Sequence, residues 1–118
     1  MTTMQVEEQR EAVRGLVDPE LYERLVGRIV IDEQIPRPTA ELAMDEGLRF
    51  LRECAERPDD RRSPSRVADI GWHTFILFTK EYAAFCDRVA GHFIHHVPEL
   101  GGGDGDCTQC HQGCHDSP

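Results

Sequence analysis

Apolar residues recur at helical spacing along most of the first 90 positions. The clearest stripe consists of Leu21, Tyr22, Leu25, Val26, Ile29 and Val30. It follows Asp18 and Pro19, a pair typical of a helix start, because the Asp side chain caps the first turn and Pro is tolerated there. We therefore predict a helix from Pro19 to about Ile31, with a shorter helix before it within residues 3–17.

The same spacing predicts three further helices. Thr39 is a candidate cap for a third, and Ser63 with the following proline resembles a cap for a fourth. The fourth carries the most apolar stretch, residues 67–78, and should be buried on most sides. A fifth should begin at Thr79 and stop at Gly91. No run alternates with period 2, so the predicted fold is all-α, a small bundle of four to five helices.

The composition changes abruptly after residue 98. Residues 99–118 are rich in Gly, Cys and His, contain no Lys or Arg, and offer almost nothing apolar. Such a segment cannot bury enough surface to order itself. We predict a helical domain over residues 1–98 and a flexible tail over residues 99–118 that is disordered unless a metal ties it down.

The net charge of the chain makes some classes of binding partner unlikely. The chain holds 13 Lys and Arg against 22 Asp and Glu, a net charge of −9. An acidic protein is poorly suited to nucleic acid or an anionic membrane, so neither is an expected partner, whereas a protein partner is retained. No stretch approaches the roughly 20 apolar residues of a membrane span, and the acidic N-terminus does not resemble a signal peptide. We expect a cytoplasmic location.

Cysteine and histidine are unevenly distributed. Ten of the eleven lie beyond position 72, and Cys54 is the exception. In a reducing compartment a cluster of cysteines more often serves as a metal site or reactive thiol than as a disulfide framework, and five is an odd number for pairing. Disulfides are therefore the less favoured interpretation.

A first group of candidate metal ligands falls within the helical part. Asp69 and His73 are four residues apart on the fourth predicted helix and should share a face. Adjacent His95 and His96 can direct one ring inward to meet His73, with Cys86 or His92 nearby. The alternatives are a structural Asp–His pair, surface or capping histidines, and Cys86 packed as a small apolar residue.

A second candidate site lies in the tail. Cys107 and Cys110 have the spacing that places two sulfurs on one tetrahedral ion, and Cys114 with either His111 or His115 could complete it. The alternative is a disordered segment with adventitious metal affinity. Zn or Cu is favoured for either site and Fe is retained. The string from Cys107 to His111 also matches a haem-attachment pattern, but no export signal is visible, so no haem is expected.

A motif extends from the fourth predicted helix to the segment after the fifth, and it consists of Asp69, Trp72, His73, Tyr82, Cys86, Gly91, Phe93, His95, His96 and Pro98. With these residues, the chain resembles the bacterial glycine-rich-domain-containing-protein-like family over about residues 63–110. Phe75 stands where that family commonly repeats His, which puts a multi-histidine site in doubt. The resemblance implies no activity.

Three hypotheses follow for the function. The first is a small cytosolic transition-metal-binding protein that uses the Asp69–His73 pair and the His95-His96 segment. The second is a metal-dependent tailoring enzyme with an open coordination position, although phosphate-binding loops and nucleophile motifs are missing from the sequence. The third is a protein-interaction module whose histidines are structural. The sequence leaves open whether the protein is an enzyme.

Overall fold

The computed structural model describes residues 3–60, 62–98 and 108–111. Within these ranges the predicted all-α bundle is confirmed, and it contains five helices. They are α1 (Thr3–Arg14), α2 (Pro19–Glu33), α3 (Arg37–Glu56), α4 (Arg66–Leu77) and α5 (Thr79–Val89), followed by two short strands, β1 (His95–Pro98) and β2 (Thr108–His111).

The helix ends follow local chemistry, with small differences from the sequence prediction. The Asp18 side chain accepts a hydrogen bond from the Glu20 N–H at 2.9 Å, as expected for a cap. Helix α3 begins at Arg37, ahead of the predicted cap at Thr39. The cap of α4 is Ser65, two residues after the predicted Ser63, and its hydroxyl accepts from the Ala68 N–H at 3.0 Å.

Helix α5 is terminated by a glycine, as predicted. Helix α5 ends at Val89, and Gly91 adopts a left-handed φ of 78°. This conformation turns the chain back across the bundle towards β1. The segment from His92 to His96 therefore packs beside α4 and α5 rather than extending a helix.

Helices α3 and α4 cross closely because glycines lie at their contact. A Cβ atom at Gly71 would overlap the Ala43 carbonyl, and one at Gly47 would lie 3.0 Å from the Trp72 N atom. The close approach brings Trp72 against α3, where its ring centroid is 5.2 Å from that of Phe50. The core of the bundle thus runs up to the α4 face that carries the candidate ligands.

Helix α1 is fastened by a buried carboxylate that the sequence analysis did not single out. Asp45 on α3 is 1% exposed and accepts hydrogen bonds from Arg10 Nε, Arg14 Nε and Nη2, and Tyr22 Oη, at 2.8–2.9 Å. Its hydrogen bonds raise the pKa of Arg14, and burial raises the pKa of Tyr22. These contacts offset the cost of burying a charge.

The two strands form an antiparallel ladder that the sequence analysis did not predict. The register pairs His95 with His111 and His96 with Cys110. Strand β2 falls inside the segment predicted to be a flexible tail, and positions 99–107 and 112–118 lie outside the described residues. Within the described ranges, no helix combines the length and apolar character needed to cross a membrane.

Candidate functional site

One face of α4 carries the first group of candidate residues. Asp69, Trp72 and His73 occupy positions i, i+3 and i+4, so their side chains emerge from the same side of the helix. Trp72 is buried, Asp69 is partly exposed and His73 is exposed. The helix therefore presents a polar pair at its surface, on either side of a buried aromatic ring.

Strand β1 places His96 on this face. His96 Nε2 donates a hydrogen bond to Asp69 Oδ1 at 2.9 Å, and its ring centroid lies 4.5 Å from that of Trp72. The ring of His73 is 6.2 Å from the His96 ring, measured between centroids. Two of the predicted ligands thus touch, and the ring of a third lies near them.

His95 has a different environment. Its ring packs against Phe93 with centroids 4.8 Å apart, and its Nε2 atom is buried without a hydrogen-bond partner among the described residues. Successive residues of a strand direct their side chains to opposite faces, which accounts for the separation of His95 from His96. The structure does not bring His95 to Asp69.

A chain of hydrogen bonds holds the segment that precedes β1. The Trp72 indole N–H donates to Tyr82 Oη at 2.9 Å, and the Tyr82 hydroxyl donates to the Ile94 carbonyl at 2.6 Å. The Ile94 N–H in turn donates to Cys86 Sγ at 3.5 Å. All four residues are at most 1% exposed. We call this set, Trp72, Tyr82, Cys86 and Ile94, the clamp.

The clamp determines the environment of Cys86. Burial raises the pKa of its thiol, and burial also raises the pKa of the Tyr82 hydroxyl, so both groups are kept neutral. The sulfur accepts from the backbone of the segment that carries the histidines. The structure therefore places Cys86 in the core, with a hydrogen-bonded role, and does not bring it to the Asp69–His96 pair.

In their present positions, the side chains described above do not form a metal site. Among the described residues, no group of three or more His, Cys, Asp or Glu side chains is arranged to hold a metal ion. Of the candidate tail site, Cys107, Cys114 and His115 lie outside the described residues, and Cys110 and His111 are placed only by their positions in the ladder.

Cys54 departs from the expectation that the cysteines avoid disulfides. It is 4% exposed on α3 and is disulfide-bonded, whereas Cys86 is a free thiol. Its isolation from the other cysteines in sequence concealed this role. Asp45 was also missed, although a carboxylate within the apolar stripe of α3 is a signal that could have identified it.

Two surface cavities lie away from the Asp69–His96 pair. One, of 250 Å³, is lined by side chains of α1 and α3, and the other, of 440 Å³, lies where α3 and α5 meet the turn after α1. Neither is lined by Asp69, His73 or His96. Trp72 and Tyr82 are sealed in the core and line neither cavity.

The comparisons correct the family assigned from the motif. The family that matches is described as UCP032817-like and covers residues 44–104, so the resemblance to the glycine-rich-domain-containing-protein-like family is wrong. Searches of curated proteins and of solved structures found no match. The matched range spans α4, α5 and β1 and contains the whole clamp together with Asp69, His73 and His96. On this match, over more than half of its length, the chain belongs to the UCP032817-like family.

Proposed function

We propose that this protein binds a transition metal ion on the face where α4 meets β1. Asp69 and His96 would supply the first two ligand atoms, and His73 the third. The proposal retains three residues of the predicted ligand set. It assigns Cys86 to the clamp and His95 to packing against Phe93.

The observation that carries the proposal is the contact between Asp69 Oδ1 and His96 Nε2. These atoms are 2.9 Å apart, and their side chains are 34% and 19% exposed. Two ligand atoms bound to one tetrahedral ion at about 2.0–2.1 Å lie roughly 3.3 Å apart. A small separation of the pair would therefore admit an ion, which replaces the proton of the present hydrogen bond.

His73 is suited to complete the set. It shares a helix face with Asp69 one turn away, and its side chain is exposed and so has room to rotate. Its ring lies 6.2 Å from the His96 ring between centroids, and we expect a rotamer change to close this gap when an ion binds. This movement is needed because the three groups are not already arranged around an ion.

The chemistry of this donor set favours Zn or Cu. Two imidazoles and one carboxylate suit these ions and also Fe, whereas hard ions such as Mg and Ca prefer oxygen ligands. Three protein ligands leave one position for water or a ligand from the tail. Trp72 supports the site because its ring packs against His96 and limits the orientations of that imidazole.

Metal analysis of the full chain purified without a His-tag tests the proposal. After exposure to Zn, Cu or Fe and dialysis, we expect one ion bound at this face. His96→Ala and Asp69→Asn should each weaken zinc affinity by at least about 10- to 100-fold, the range found when only the residues that orient a metal ligand are replaced. Loss of His73 should weaken zinc affinity less, because water can replace the imidazole.

Matched variants separate this site from the tail. His92→Ala removes a partly exposed histidine of the same segment and should leave zinc affinity unchanged. A triple Cys107, Cys110 and Cys114 to Ser variant should retain the ion that depends on His96. Protein that remains empty after exposure to all three metals would contradict the proposal, as would an equal loss in His92→Ala.

The clamp favours a second candidate function, a protein-interaction module with structural histidines. Trp72, Tyr82 and Cys86 are all used to hold Ile94, and His96 extends that contact to the surface. In this case His96→Ala would loosen β1 and abolish capture of a protein partner, while metal content would not change. A cytoplasmic location and a protein partner are part of the same proposal.

A further inference from the structure

We infer that the larger of the two surface cavities binds a small carboxylate that carries an apolar chain. This cavity, of 440 Å³, lies where α3 and α5 meet the turn after α1, and two arginines, Arg52 and Arg88, line it. Its volume falls within the range of about 300–1,000 Å³ that is typical of small-molecule sites. The inference does not depend on metal binding, because no proposed metal ligand lines this cavity.

The two arginines differ from most others in this acidic chain because no carboxylate is paired with them. Neither Arg52 nor Arg88 forms an ion pair with a described residue. The described arginines that do form ion pairs are Arg10, Arg14, Arg24, Arg28, Arg37, Arg49 and Arg62. Two positive charges without an ion pair therefore face one cavity, where they would attract an anion.

Arg88 is already held at the cavity by a neutral group. Its Nη2 donates a hydrogen bond to the Leu16 carbonyl at 2.6 Å, and its guanidinium carbon lies 5.9 Å from the centroid of the Phe85 ring. A guanidinium carries five N–H donors, so one bond leaves others for a carboxylate. Because Arg88 is positioned before a ligand arrives, less conformational freedom is lost on binding.

Arg52 supplies the second donor group. It lies on α3, is partly buried, and has no hydrogen-bond or ion-pair partner among the described residues. Partial removal of a guanidinium from water without an acceptor costs free energy. A carboxylate in the cavity would supply that acceptor. The charge of Arg52 is therefore available for a ligand rather than used to hold the bundle.

The remaining lining residues define the class of anion. Leu16, Ala55 and Val89 offer apolar contact, which favours a ligand with an apolar chain. Glu56 lies one turn after Arg52 on α3 and lines the same cavity. Its negative charge, together with the partial negative charge at the C-terminal ends of the helices, favours a monoanion over a phosphate of higher charge.

The smaller cavity, of 250 Å³, does not share these features. It also contains two arginines, Arg10 and Arg49, but both are paired with carboxylates. Arg10 is bonded to Asp45, and Arg49 is bonded to Glu46. An anion would have to displace these contacts. The difference in pairing, rather than the number of arginines, distinguishes the larger cavity as the ligand site.

Titration of the full chain with octanoate at pH 7, followed by amide NMR, tests the inference. We expect a dissociation constant at or below about 1 mM, with the largest shifts at Leu16, Ala55 and Val89. Octan-1-ol, which has the chain without the charge, should bind at least about fivefold more weakly. Inorganic phosphate, which has charge without the chain, should also bind more weakly, and added salt should weaken the binding of octanoate.

Charge variants give the sign of each contribution. Arg52→Gln and Arg88→Gln should each weaken octanoate binding about 5- to 10-fold, because each removes a charge-assisted donor from a partly exposed site. Glu56→Gln should tighten it about 2- to 5-fold, because a repulsive charge is removed. Arg57→Gln is the matched control, since Arg57 is exposed and does not line the cavity, and it should leave the affinity unchanged.

Arg52→Gln is the decisive variant because Arg52 holds no described contact of the fold, whereas Arg88→Gln also removes the bond to Leu16. Failure of octanoate to bind the wild type below about 1 mM would overturn the inference. Equal binding of octan-1-ol or of phosphate would overturn the assigned class of ligand. An affinity unchanged in Arg52→Gln, or reduced equally in Arg57→Gln, would show that the cavity arginines do not bind the carboxylate.

Discussion

Asp45 and Asp69 are two carboxylates that attach a neighbouring element to the helical bundle, and they do so in different ways. Asp45 is 1% exposed and accepts four hydrogen bonds from three side chains, which fasten α1 and α2 to α3. Asp69 is 34% exposed and receives His96 from β1. Both lie on helices that meet at the centre of the fold.

The two carboxylates differ in whether a ligand can still reach them. Asp45 is surrounded by two guanidinium groups and a hydroxyl, and burial removes it from solvent, so its role is structural. Asp69 remains open to water and has an exposed imidazole one turn away at His73. Exposure, rather than the presence of an ionic partner, distinguishes the carboxylate that is a candidate ligand from the one that holds the fold.

Replacing Asp45 should have the largest effect on stability. Asp45→Ala leaves Arg10, Arg14 and Tyr22 without their shared acceptor, and we expect a loss of about 3 kcal/mol in the free energy of unfolding. Urea denaturation measures the loss. Zinc affinity measured on the folded variant should match that of the wild type, and a reduced affinity would show that the two regions are coupled.

The two buried tyrosines provide a matched pair of smaller changes. Tyr82→Phe leaves the Trp72 N–H and the Ile94 carbonyl without their partner and should cost about 2 kcal/mol. Tyr22→Phe should cost about 1 kcal/mol, because Asp45 keeps its arginine donors. Urea denaturation of both variants checks the order, and equal losses would contradict the importance assigned to the clamp.

Alkaline pH should lower the free energy of unfolding through groups beside Asp45 and in the clamp. Burial raises the pKa of Tyr22 and Tyr82 above the ordinary 10.0, and raises that of Cys86 above 9.0. The unfolded chain therefore releases these protons first, so stability is present below about pH 9 and falls as pH rises further. Each group contributes a slope of up to about 1.4 kcal/mol per pH unit.

The tyrosine variants test the origin of this slope. Between pH 10 and 11, Tyr22→Phe and Tyr82→Phe should each show a shallower loss of stability than the wild type, because one ionisable group has been removed. The measurement is urea denaturation across the pH series. A slope identical to that of the wild type in either variant would show that the corresponding hydroxyl does not remain protonated in the fold.

Asp69→Asn should have the smallest effect on folding. The Asp69–His96 contact is partly exposed, so its loss should cost about 0.5 kcal/mol. The same substitution should reduce zinc affinity by at least tenfold. A stability loss as large as that of Asp45→Ala, measured by urea denaturation, would mean that Asp69 is also primarily structural.

The helices could be predicted because their signals are local. Asp18 and Pro19 begin α2 where the cap chemistry indicates, and Gly91 ends α5 in the left-handed conformation that the prediction required. The predicted caps Thr39 and Ser63 were less reliable because neighbouring residues offered competing starts. Helix α3 begins at Arg37, and Ser65 caps α4.

The site could be predicted only in part because its contacts are long-range. The shared face of Asp69 and His73 follows from helical spacing, but the choice of His96 over His95 depends on the phase of a strand. The ladder between β1 and β2 joins segments with no alternating apolar pattern. Cys86 carries no local signal that separates a ligand from a clamp residue.

Nitrogen NMR of the histidine rings during zinc titration tests the central claim most directly. We predict that one equivalent of zinc shifts the signals of the ring nitrogens of His73 and His96 to values typical of coordinated imidazole. The rings of His92 and His95 should keep their metal-free signals. Zinc that shifts only tail histidines, or leaves His96 bonded to Asp69 as before, would contradict a metal site on the face of α4 and β1.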